Sequence, residues 1–70
     1  MEMSDAHVAR WHRFQKALLK VAQEPWKYKS ANAVDSHGYT VAQRVLIRGS
    51  EEELRQTLRF WEFTYPELFE

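Results

Sequence analysis

A chain of only 70 residues without a single cysteine has few ways to hold a fold together. A domain of this size buries only about 60% of the surface that its unfolded chain exposes. Small domains usually add disulfides, a metal or a partner chain, and the lack of cysteine excludes disulfides and thiolate metal sites. Aromatic residues make up 14% of the chain and bury the most area per residue. We therefore expect a single domain over residues 1–70 that depends on aromatic packing and forms a homodimer.

The charges cancel in total but are separated along the chain. Residues 1–48 contain eight Lys and Arg against four acids, a net charge of +4, and residues 49–70 contain two Arg against six Glu, a net charge of −4. A basic surface can meet nucleic acid or an acidic protein, and a dipolar molecule can associate with its own kind. Charge alone does not choose between these partners.

The first third of the chain has the pattern of an amphipathic helix. Ser4 is a favoured N-cap residue, and Asp5 adds an acid to the first turn. Apolar residues then recur every three to four positions up to about Gln23. Pro25 biases the residue before it away from helical dihedrals, so the predicted helix ends there.

A second helix is predicted after residue 50. Ser50 and Glu53 have the spacing of a capping box, and three acids occupy the first turn, where the helix dipole is positive. Pro66 ends the helix at about Thr64. The apolar stripe of this helix consists of Leu54, Leu58, Trp61 and Tyr65.

The middle of the chain has two interpretations. Residues 26–34 and 39–48 alternate with a period of two around the turn-forming cluster 35–38, which favours an antiparallel hairpin. The fold would then be α+β, in the order α-β-β-α, with two helices packed on the hairpin. The rival interpretation is a short helix over 41–48, capped by Thr40 and ended by Gly49, which gives an all-α domain of the helix-turn-helix kind. We favour the hairpin, whose open strand edges are a further reason to expect a homodimer.

No residue pattern predicts catalysis or a metal site. His7 and His12 are five positions apart, whereas metal ligands on one helix face need a spacing of four. Asp35, Ser36 and His37 are the residue types of a hydrolase triad, but consecutive side chains in one turn cannot line up as base, nucleophile and orienting group. There is no glycine-rich phosphate loop. We expect a protein that is not an enzyme and has no cofactor.

Two sets of residues are candidates for binding a partner. Aromatic side chains flanked by charges are typical interface anchors, and the candidate partner-binding residues are Phe60, Phe63, Tyr65 and Phe69. Basic residues on the first helix and the hairpin can follow a phosphate backbone. This candidate basic face consists of Arg10, Arg13, Lys20, Lys27, Lys29, Arg44 and Arg48.

The first functional hypothesis is a non-enzymatic protein-interaction module, a small regulator or inhibitor that binds and modulates another protein or complex. The composition of the chain is also typical of small regulators from phages or plasmids, which is an analogy only. The alternative is a small nucleic-acid-binding regulator that uses the basic first helix and the hairpin. A third hypothesis is an accessory subunit of a larger enzyme. A dedicated nucleic-acid binder usually has a domain pI above about 9, so the neutral charge balance favours the first hypothesis.

The cytoplasm is the expected compartment. No apolar run approaches the length of a membrane span, and the first residues lack the basic-then-apolar pattern of a signal peptide. The absence of cysteine is compatible with a reducing environment.

Overall fold

The computed structural model describes residues 4–70, and their regular structure is helical. Three α-helices, α1 (Asp5–Gln23), α2 (Val41–Arg48) and α3 (Glu51–Thr64), are accompanied by two short 3₁₀ helices at Lys29–Asn32 and Pro66–Phe69. None of the helices in this part of the chain is long and apolar enough to cross a membrane. The prediction that the chain has no signal peptide rested partly on residues 1–3, which lie outside the described residues.

The predicted α-β-β-α fold is wrong, and the rival all-α interpretation fits the structure. Residues 41–48 form α2 because both ends of the helix are specified locally. Thr40 Oγ1 accepts a hydrogen bond from the Gln43 N–H (3.2 Å) while Gln43 Oε1 accepts one from the Thr40 N–H (2.9 Å), a complete capping box. Gly49 has a left-handed backbone (φ 62°) and donates its N–H to the Val45 carbonyl, which ends the helix.

The first half of the predicted hairpin is also not a strand. The Lys27 N–H donates to the Glu24 carbonyl (2.9 Å) in a turn that follows α1. The chain then enters the first 3₁₀ helix, and both its N-cap residue Tyr28 and Ala31 within it are buried. These two residues are three positions apart, which is the period of a 3₁₀ helix and not of a strand. The tertiary contacts of these residues therefore override the apparent alternation.

The turn predicted at 35–38 is present, although it does not join two strands. Asp35 Oδ1 accepts hydrogen bonds from the backbone N–H groups of His37 (2.8 Å) and Tyr39 (3.1 Å). Within the described residues, β pairing is limited to one antiparallel bridge, between Val34 and Thr40. The turn therefore leads directly to the N-cap of α2. Residues 26–48 do not form the open strand edges that were one reason to expect a homodimer.

The two outer helices are confirmed. Ser4 caps α1 by accepting from the His7 N–H (3.1 Å), and α3 ends at Thr64 before Pro66. The capping box predicted for α3 is only half formed. Ser50 Oγ accepts from the Glu53 N–H (3.3 Å), but the Glu53 carboxylate pairs with Arg48 (2.7 Å) and does not return to the Ser50 backbone.

The core is built where α1 meets α3. The rings of Phe14 and Trp61 stack with centroids 5.5 Å apart and planes 7° apart, and both side chains are fully buried. Trp11 packs edge-on against Phe14 at 5.9 Å. The other buried apolar residues are Ala17, Val21, Tyr28, Ala31, Ala42, Val45, Leu54, Leu58 and Leu68.

The helices α1 and α3 run in the same overall direction. Arg10 near the start of α1 pairs with Glu51 at the start of α3, and Arg13 one turn later pairs with Glu62 near the end of α3. The segment after α3 continues along α1, because Lys20 Nζ donates to the Leu68 carbonyl (3.3 Å). The C-terminal 3₁₀ helix therefore folds back on the domain, as its composition predicts.

Removing the α2 cap tests the helical assignment. Thr40→Val keeps the side-chain shape but removes the acceptor for the Gln43 N–H, and it should lower the free energy of unfolding by about 1 kcal/mol. Urea denaturation measures this change. Thr64→Val is the matched control, because Thr64 is exposed at the end of α3. Equal stability of the two variants would contradict a helix that begins after Thr40.

The Asp35 turn predicts a specific pH dependence. The backbone N–H of Tyr39 is the largest cause of a pKa for Asp35 below its ordinary value of 3.8; partial desolvation opposes the shift, and the His37 N–H and the charge of Arg44 add to it. A lowered pKa means that the ionised carboxylate stabilises the fold above the unfolded pKa and that this stability is lost as the pH falls through the folded pKa. The difference in unfolding free energy between wild type and Asp35→Asn should be constant above about pH 5 and shrink below about pH 4. A pH-independent difference would contradict this role.

Candidate functional site

The exposed aromatic residues of α3 form one side of a candidate binding surface. Phe63 is 91% exposed and Phe60 is 45% exposed. They are three positions apart and are therefore neighbours on the helix surface. Phe60 also borders a groove of about 500 Å³ that includes the exposed side chains of Val34 and Tyr39. We call Val34, Tyr39, Phe60 and Phe63 the α3 aromatic surface.

The other two candidate aromatic residues, Tyr65 and Phe69, are placed in the fold. The Tyr65 ring meets Tyr28 edge-on at 5.1 Å, and its hydroxyl accepts a hydrogen bond from the Ser30 N–H (3.1 Å). Phe69 packs against the core, and the guanidinium of Arg13 lies 4.9 Å from the centre of its ring. The four residues named from the sequence therefore do not form one surface, and only Phe60 and Phe63 point to solvent.

Most of the candidate basic face is engaged within the chain. Arg13 pairs with Glu62 at 2.6 Å and Arg44 with Asp35 at 3.6 Å, while Lys20 donates to backbone carbonyls. The remaining pairs are Arg10 with Glu51, Lys27 with Glu24, and Arg48 with Glu53. Within residues 4–70, Lys29 is the one member with no such contact. Each exposed pair contributes little to stability, but the acids neutralise the charge that a phosphate backbone would need.

The junction of α2 and α3 resembles a helix-turn-helix in connectivity but not in charge. Gly49 and Ser50 are all that separates the two helices. In a DNA-binding helix-turn-helix, the first residues of the second helix contact base edges in the major groove. The first turn of α3 carries three acids, Glu51, Glu52 and Glu53. Phosphates would be repelled from this end of the helix.

A second groove, of about 500 Å³, lies between α1 and α3. Arg10 and Arg13 line it from α1, and Arg55 and Arg59 line it from α3. We call these four residues the arginine groove. Sequence reasoning missed Arg55 and Arg59 because they belong to the segment with a net charge of −4. Their spacing of four, which places them on one side of α3, was the available signal.

The residue types that resemble catalytic or metal sites have structural roles. His7 Nε2 accepts a hydrogen bond from the Trp11 indole N–H (2.9 Å), and His7 Nδ1 lies 2.5 Å from Glu51. Asp35 is occupied by backbone N–H groups of its own turn. Among residues 4–70, no three His, Asp or Glu side chains are close enough to hold a metal ion.

No protein-family model, curated protein or solved structure matches the chain.

The exposed Phe63 and the packed Tyr65 should differ in how much they contribute to the stability of the fold. Phe63→Ala should change the free energy of unfolding by less than about 0.5 kcal/mol, because the ring is exposed and alanine favours a helix. Tyr65→Ala should cost roughly 2 kcal/mol, because it removes the contact with Tyr28 and two hydrogen bonds to Ser30. Urea denaturation of both variants measures the contrast. A loss of stability in Phe63→Ala as large as that in Tyr65→Ala would mean that Phe63 is structural.

Proposed function

We propose that this chain is a non-enzymatic protein-interaction module, a small regulator or inhibitor that binds and modulates another protein or complex. The observation that carries the proposal is Phe63, whose ring is 91% exposed beside Phe60 on α3. Single exposed apolar residues are ordinary, but here the exposed rings continue into a groove that holds Val34 and Tyr39. Contiguous apolar surface of this kind marks interaction sites.

Self-association is part of the proposal. A second copy offers the same aromatic surface, and a symmetric dimer would bring the two patches together. The small core remains a physical reason for association. We place the module in the cytoplasm. A chain without cysteine forms no disulfides, so it does not require an oxidising compartment.

The alternative of nucleic-acid binding has less support. Six of the seven candidate basic residues contact acids or carbonyls within the chain. The first turn of α3, the natural contact point of a helix-turn-helix, carries three glutamates. Both features reduce the attraction for a phosphate backbone.

The α3 aromatic surface should determine partner affinity. Proteins captured by the wild-type chain from its native host would be purified, and their affinities measured by isothermal titration calorimetry. Phe60→Ala/Phe63→Ala should weaken binding about 30-fold or more, because truncating a central anchor costs about 2 kcal/mol. Leu19→Ala is the control, because Leu19 is similarly exposed on α1 but lines none of the grooves.

Two results would contradict the proposal. One is a double variant that binds every captured protein as tightly as Leu19→Ala does. The other is submicromolar, salt-sensitive binding of the wild-type chain to a DNA or RNA oligomer at near-physiological salt. Sedimentation equilibrium of the same proteins shows whether a second copy occupies the surface, because the chain mass is 8.4 kDa.

A further inference from the structure

Two arginine side chains of the arginine groove form no ion pair within the described residues. Arg10 and Arg13 pair with Glu51 and Glu62 across the helix interface. Arg55 and Arg59 are exposed, and neither forms an ion pair with another residue of the described chain. These two guanidinium groups are therefore available to a ligand.

The groove is positively charged in a chain whose net charge is zero. Four arginines line it against two acids, Glu52 and Glu62. A guanidinium presents five donors in a planar fork that matches a carboxylate with two parallel hydrogen bonds. Successive arginines on α3 are one helical turn apart, so two carboxylates at a similar spacing can be held at once.

An exposed aromatic ring continues the row of free arginines. Arg55, Arg59 and Phe63 follow one another at intervals of four, which places them along one side of α3. Phe63 is also beside Phe60, so it connects the arginine groove to the α3 aromatic surface. A ligand that covers this row must combine acidic groups with an apolar group.

We propose that the arginine groove binds an acidic segment of a protein partner, whose carboxylates pair with Arg55 and Arg59 while an apolar side chain covers Phe63. This inference rests on the proposed function and names the chemistry of the partner. It gives the aromatic anchor a charged neighbour that orients the partner and favours acidic sequences over others.

Nucleic acid fits this groove less well than a peptide does. A nucleic-acid strand carries a phosphate at every nucleotide, which in a duplex is one phosphate per strand for about every 3.4 Å of helix axis. Such a ligand would bring phosphates close to Glu52 and Glu62, which lie among the arginines. A peptide can place carboxylates at Arg55 and Arg59 and neutral residues opposite the two glutamates.

The C-terminal segment of a second copy also fits poorly. Its C-terminal acids, Glu67 and Glu70, flank Leu68 and Phe69. Those two apolar residues pack into the core of their own chain. The C-terminal segment therefore does not offer an acid next to a free apolar anchor.

The test uses a fluorescein-labelled synthetic peptide of glutamates around a central Leu-Phe pair, with binding followed by fluorescence anisotropy. Arg55→Gln/Arg59→Gln should bind it roughly tenfold more weakly than the wild type. Lys27→Gln/Lys29→Gln is the matched control, because it removes the same charge from exposed residues outside the groove. Its affinity should stay within about twofold of the wild type, because distant surface charges are screened by salt. A peptide with Gln in place of Glu should bind as weakly as the arginine variant does.

Several outcomes would overturn the inference. They are no binding of the acidic peptide by the wild type into the millimolar range, equal losses in the Arg and Lys variants, and displacement of the peptide by a DNA oligomer at lower concentration. A dimer that Arg55→Gln/Arg59→Gln dissociates would assign the groove to a second copy. If partner binding depends on Phe60 and Phe63 while the peptide fails to bind, the groove assignment fails and the interaction module stands.

Discussion

The stacked rings of Phe14 and Trp61 are the contact on which the rest of the molecule depends. They join α1 to α3 in a chain with no disulfide, and ion pairs from Arg10 and Arg13 cross the same interface. The stack tolerates a local defect. The buried indole N–H of Trp61 has no acceptor among the described residues. An unpaired buried donor typically costs about 1–3 kcal/mol. Packing at this interface therefore outweighs an unpaired donor.

The outer helices could be predicted from the sequence, whereas α2 was misassigned. Helices α1 and α3 are long enough for a helical period to be recognised, and each has a cap and a terminating proline close by. Residues 41–48 are too few for periodicity to separate a helix from a strand. The deciding signals were Thr40, Gln43 and Gly49, which satisfy the backbone at both ends of α2. Local capping was a better guide here than alternation.

The surface was only partly predictable. Phe60 and Phe63 lie off the apolar stripe of α3, so their exposure follows from helix geometry. Tyr65 belongs to that stripe, but its packing partner Tyr28 is far away in sequence, and no local pattern contains that contact. The same holds for the basic residues, whose acidic partners come mostly from other elements. The count of charges along the chain assigned Arg55 to the acidic segment and α1 to the basic segment. The fold nevertheless places Arg55 and the arginines of α1 in the same groove.

The tie between Lys20 and the Leu68 carbonyl joins residues that are 48 positions apart. Closing so long a loop costs chain entropy before any contact compensates for it. The α2–α3 pair, separated by Gly49 and Ser50 alone, meets no such cost. This difference implies an order of assembly in which the α2–α3 unit forms early and α1 docks late.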